Sequence, residues 1–123
     1  MKKVIYLATA AALLVSTAPA YANGTGNDGR VHIGVIGEKL KVREVRALLD
    51  DHEAGAKAHV SLWKNGEEVR IVRNWKYTEA KETGGYKYEY ASWKLHNRSF
   101  PNHSQLCVEF AGHEERACST IHR

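Results

Sequence analysis

Asn65-Gly66 stands between two runs of alternating apolar residues, and it constrains this chain more than any other pair. Such a dipeptide is the strongest short-range hairpin signal, because a type I′ turn needs positive φ at both central residues. Set as a two-residue loop, it pairs Lys64 with Glu67, Leu62 with Val69 and Val60 with Ile71. That register joins opposite charges and puts Ala58, Val60, Leu62, Val69 and Ile71 on one face. A hairpin with one apolar face must bury it against a second layer.

The cysteines predict another hairpin. Cys107 and Cys118 are the only two in the chain. Pairing them directly across makes Gly112-His113 a two-residue loop, with Gly first as a type II′ turn prefers. The same register sets Glu109 opposite Arg116 and Val108 opposite Ala117, turns Leu106, Val108 and Phe110 to the core, and leaves the disulfide on the other face. A bridge closing so short a loop contributes roughly 2–3 kcal/mol. Two thiols without a close histidine pair make a poor zinc site.

The rest of the chain has mostly period two. Val31 to Ile36 reads as a strand with Val31, Ile33 and Val35 on one face, ended by a turn at Gly37-Glu38. Leu40 to Leu49 is ambiguous. Val42, Val45 and Leu49 fit a helical stripe, whereas a strand with a bulge near Arg43-Glu44 turns Leu40, Val42, Val45, Ala47 and Leu49 inward. The strand is preferred because strands surround it. Asp50 to Gly55 and Lys81 to Gly85 read as turns, Tyr86 to Leu95 as a strand, and His96 to Ser104 as a connecting loop. About seven strands result, which points to an all-β fold: an immunoglobulin-like or related β-sandwich with one C-terminal hairpin disulfide.

The N-terminus says where the chain works. Lys2 and Lys3 precede an apolar run from Val4 to Val15, and Ala20-Tyr21-Ala22 fits a signal-peptidase site. The expected organisation is a signal peptide over 1–22, a flexible tether over 23–29 (Asn-Gly-Thr-Gly-Asn-Asp-Gly) and a single sandwich domain over 30–123. The expected location is extracellular, with cell-wall association open, and without a membrane span once the leader is removed. An oxidising location makes a disulfide the default state of the two cysteines. Of 18 basic and 14 acidic residues, the leader removes Lys2 and Lys3, leaving 16 against 14, a net +2. So modest a charge, without a basic cluster, gives no support for a nucleic-acid partner.

Candidate ligand-binding residues are aromatic. Alternation puts Tyr86, Tyr88 and Tyr90 on one face, a strip that stacks on sugars or anchors a protein if exposed, and covers the core if not. A bulge near Ala91-Ser92 would turn these tyrosines inward together with Trp93 and Leu95. Trp63 shares its face with His59, Ser61, Glu68 and Arg70, a polar set that leaves the indole exposed. Trp75, Tyr77 and Trp93 read as core. His59, His96, His103, His113 and His122 are scattered without metal-ligand spacing, and His113 belongs at the surface. No catalytic residue, metal ligand or cofactor site is assigned. A ribonuclease-type hydrolase would use a glutamate, an arginine and a histidine, and Glu68, Arg70 and His59 share one hairpin face. An enzyme requires at least two titratable side chains converging in a cleft. A secreted enzyme inhibitor requires a projecting loop, for which 96–104 is the long candidate.

Ala91-Ser92-Trp93, Leu106-Cys107-Val108 and Ala117-Cys118-Ser119-Thr120-Ile121-His122 resemble segments of short secreted actinobacterial proteins of uncharacterised function. The resemblance extends through Val45-x-Ala47-x-Leu49 and the Trp75 region. It implies export and a disulfide-stapled domain, and carries over no site residue. The function expected is therefore that of a secreted non-catalytic binding module for an extracellular protein or polysaccharide.

Overall fold

The computed structural model describes residues 24–123; the expected signal peptide over 1–22 lies outside the described residues. They form a two-sheet β-sandwich without helix: β1 (Gly24–Asp28), β2 (Val31–Glu38), β3 (Lys41–Asp50), β4 (Lys57–Lys64), β5 (Glu67–Tyr77), β6 (Glu79–Thr83), β7 (Tyr86–Ser99), β8 (Gln105–Phe110) and β9 (Arg116–Thr120). One sheet has the order β1-β2-β3-β7-β6, the other β5-β4-β8-β9, and every pairing is antiparallel.

Two strands exceed the expected seven. Residues 24–28, expected as tether, pair with β2 from Gly24↔Val35 to Asp28↔Val31. Absence of side chains is what permits this: a Cβ on Gly26 would lie 2.1 Å from the Cys118 carbonyl oxygen, so only glycine lets β1 approach β9 this closely. The expected turn at 81–85 shrinks to Gly84-Gly85, and the residues before it form β6 along β7.

β3 takes the bulged-strand alternative. Its pairing with β2 jumps from Ile36↔Glu44 to Gly37↔Val42, leaving Arg43 as the extra residue. Val42, Val45, Ala47 and Leu49 consequently all reach the core, with Leu40 packed against it. The turn before β3 is Lys39-Leu40 rather than Gly37-Glu38. From the other sheet come Ala58, Val60, Leu62, Leu106, Val108 and Phe110, all buried.

Both signalled hairpins form, each with a correction. Cys107–Cys118 is a disulfide between directly paired residues, with Val108↔Ala117 and Glu109↔Arg116 in the expected register. The connection is longer than two residues, however. His113 N donates to Phe110 O across Ala111-Gly112, and Glu114 and Glu115 follow before β9 begins. At the other hairpin, Asn65 and Gly66 have φ of 53° and 78° and Lys64 pairs with Glu67. Beyond that pair the register slips three times: Trp63↔Glu68 gives way to Leu62↔Arg70, then Ser61↔Ile71, Val60↔Arg73 and Ala58↔Lys76. Val69 and Ile71, expected inward, therefore face solvent at 53% and 39% exposure, while Val72 enters the core. Each bulge on this edge strand re-aims the side chains beyond it.

Candidate functional site

β5 carries all four of the large apolar side chains that stand exposed among the described residues: Val69, Ile71, Trp75 at 45% and Tyr77 at 67%. Trp75 and Tyr77, expected in the core, are outside it because of the slips. The third slip lies between Ala58↔Lys76 and Val60↔Arg73, so Asn74 and Trp75 together oppose the single residue His59. This two-against-one geometry lays the Trp75 indole on the His59 imidazole, centroids 3.8 Å apart and planes 9° from parallel. Trp93, by contrast, is buried as expected.

Around this stack the outer face of the four-stranded sheet builds a shallow groove of about 530 Å³. Its polar lining comes from Lys57 and His59 on β4, Glu109 on β8, and His113 in the β8–β9 connection. His59 and Glu109 are cross-strand partners, and His59 Nε2 donates to Glu109 Oε1 at 2.9 Å. The Lys57 ammonium lies 4.8 Å above the Tyr77 ring. His113 is half-buried and not a free surface group: its Nε2 is 2.8 Å from Glu53 Oε1, and its Nδ1 is 3.9 Å from Glu115 Oε1. That contact ties the β3–β4 connection to the β8–β9 connection.

Trp63 lies on the same sheet face but is half covered. Its indole N–H donates to Ser61 Oγ at 2.8 Å, and the Arg116 guanidinium stacks 3.6 Å over its ring. Glu68 and Arg70 do not join His59 on one face. The bulge at Val69 sets them opposite successive residues, Trp63 and Leu62, and the carboxylate beside His59 is Glu109.

The tyrosine strip sits on the other sheet. β3 pairs with β7 without interruption from Glu44↔Lys94 to Asp50↔Tyr88, so no bulge occurs at Ala91-Ser92. Tyr86, Tyr88 and Tyr90 thus point away from the main core, opposite to Trp93 and Leu95. Tyr86 and Tyr88 are buried in a small cluster with Leu48, and Tyr90 is half-buried against it. Their rings are not coplanar along the strip: Tyr86 and Tyr88 stack at 5.0 Å, but Tyr90 meets Tyr88 edge-on at 6.5 Å.

Tyr86 and His32 both hydrogen-bond the Asp50 carboxylate, and Arg30 donates to the Asp50 carbonyl oxygen. Burial works to raise the Asp50 pKa. The hydrogen bonds from His32 and Tyr86, with the positive charges of His32 and Arg30, outweigh it and hold the carboxyl below its ordinary 3.8. Burial, then the bond to Asp50 and its charge, push the Tyr86 phenol far above 10. Tyr90 is also raised, chiefly by burial.

The 96–104 segment is less of a loop than expected. β7 continues to Ser99, Phe100 and Ser104 are buried, and Ser104 Oγ donates to Pro101 O. Among the described residues no group of three or more His, Cys, Asp or Glu side chains is placed to hold a metal ion. Comparisons with protein-family models, with curated proteins and with solved structures give no match to this chain.

Proposed function

We propose that this chain is an exported, non-catalytic binding module whose ligand lies on the outer face of the four-stranded sheet, in the groove beside Trp75. The observation that carries this reading is the Trp75–His59 stack, which fixes the plane of a large, half-exposed indole at a groove whose walls mix apolar and polar side chains. An exposed tryptophan is costly in a soluble domain unless it meets something. Fixing its plane before binding removes part of the ordering cost of association. The strands beneath it are tied to the core, so the surface is a platform and not a mobile loop.

The test is co-sedimentation of the protein recovered from culture medium with bacterial cell walls, chitin and cellulose, plus pull-down from secreted proteins. Trp75→Ala is expected to lose the interaction and Trp63→Ala to keep it. Retention by both variants would place the ligand elsewhere.

A hydrolase of ribonuclease type is the second reading. What favours it is that Lys57, His59, Glu109 and His113 line one groove. What weighs against it is that His59 is hydrogen-bonded to Glu109 and His113 to Glu53, which leaves each imidazole engaged by a carboxylate of the protein itself. Cleavage of RNA that His59→Ala abolishes would promote it. The inhibitor reading has little in its favour, because Phe100 and Ser104 anchor the segment that would have to project.

A further inference from the structure

Resting on the binding-module reading, we infer that the ligand of the Trp75 groove is a saccharide, with one pyranose ring laid flat on the indole. His59 backs one side of Trp75 at a near-parallel 9°, so the ring offers a ligand a fixed plane and not an edge or a rotating side chain. A flat plate selects a ligand with a broad apolar face. The C–H face of a pyranose is one; its rim of hydroxyls then needs donors and acceptors close to the plate.

The groove supplies both kinds. Glu109 offers carboxylate oxygen and Lys57 an ammonium, both lining the same depression as Trp75, while the His113 imidazole beside them is held by Glu53. The rest of the lining, with Trp75, Phe110 and Ala111, is apolar, so a few placed polar groups border an apolar floor, the mixture that a small ligand with one apolar face and a polar rim requires. The apolar Val69 and Ile71 do not line it. Its volume of about 530 Å³ suits a ligand of one or two rings and not an extended protein surface. Tyr77 follows Trp75 by two residues, roughly 7 Å along the strand, and is the most exposed of the four apolar side chains. The Lys57 ammonium lies over its ring, so Tyr77 stands beside the groove as a second exposed aromatic.

The experiment compares chitin, cellulose, intact bacterial walls and walls stripped of protein by protease. The probes are the protein recovered from culture medium, Trp75→Ala, and Trp75→Tyr, which keeps an aromatic plate. The expected result is pelleting with at least one of the protein-free solids, weakened about tenfold in Trp75→Ala and largely restored in Trp75→Tyr. Pelleting with intact walls but with none of the protein-free solids overturns the saccharide inference, yet leaves a binding module whose partner is protein. Pelleting that Trp75→Ala retains overturns the assignment to this groove. Failure to pellet with any solid, together with no Trp75-dependent capture of a secreted protein, overturns the binding-module reading itself. Circular dichroism of each variant establishes that it is folded; Trp75 is exposed enough for truncation to leave the core untouched.

Discussion

The imidazole of His59 and the indole of Trp75 are parallel to within 9°, with their centroids 3.8 Å apart. Neither neighbours the other in a regular hairpin register; a bulge in β5 brings them together. Their contact is therefore something the bulge creates, and it has an energy of its own to measure.

A double-mutant cycle between His59→Ala and Trp75→Ala should give a coupling of about 0.5–1.5 kcal/mol in urea unfolding, as aromatic pairs do. Additive effects would mean that the stack is incidental. His59→Ala alone should cost more than Trp75→Ala, because it also takes away the hydrogen bond to Glu109.

The slipped register can be checked by two valines. Val72→Ala, in the core, should cost about 2 kcal/mol, whereas Val69→Ala on the solvent side should stay within about 0.5 kcal/mol. The regular hairpin register predicts the opposite ranking, so one pair of denaturation curves decides between them.

Acid should reveal Asp50. Its pKa is lower folded than the 3.8 expected unfolded, so its contribution is complete above about pH 4 and lost as pH falls through the folded value. The advantage of the wild type over Asp50→Asn should accordingly be present at about pH 5 and shrink below about 4. A gap that persists unchanged to pH 2 would show that Asp50 does not titrate as described.

Base should reveal Tyr86 with the opposite sign. Its folded pKa lies above the unfolded 10, so its contribution is present below pH 10 and lost as pH rises beyond it. Absorbance at 295 nm should show Tyr86 ionising only as the protein unfolds. Tyr86→Phe should reduce that late component, to which Tyr90 also contributes; an early Tyr86 signal in the native state would contradict the buried bond to Asp50.

Reducing Cys107–Cys118, or replacing both residues by alanine, should cost roughly 3 kcal/mol and lower Tm by about 15 °C. Ligand pelleting well below the new Tm should survive, since Trp75 stands on β5, which β4 separates from the bridged strands β8 and β9. Loss of pelleting from folded, reduced protein would tie the disulfide to the site.

How much of this was legible depends on whether a bulge leaves a mark. In β3 it does: the apolar spacing widens from two to three between Val42 and Val45, and the extra residue falls at Arg43. The cysteines likewise define their own register, which the pairing of Glu109 with Arg116 repeats. β5 leaves no such mark. It is an edge strand with Val72 as its one buried side chain, so nothing in its alternation reports three slips. Trp75 and Tyr77 looked like core residues for that reason, and Val69 and Ile71 with them. Strand β1 was hidden differently: its glycines suggested slack chain, when Gly26 is there to fit against Cys118. The tyrosines alternate as read, but only the unbroken β3–β7 register reveals which side they occupy.

The irregularity of β5 has a second effect, on how molecules treat one another in solution. An outermost strand of eleven residues with apolar side chains is a natural template on which another chain can polymerise. Three interruptions in its ladder break the even repeat of amide and carbonyl that such growth copies. Lys76 and Arg73 also lean away to the β7 carbonyls of Ser92 and Lys94. β5 can thus hold tryptophan and tyrosine out to solvent while refusing a straight seam to its own kind, and concentrated protein should stay clear where a regularised edge would turn to fibres.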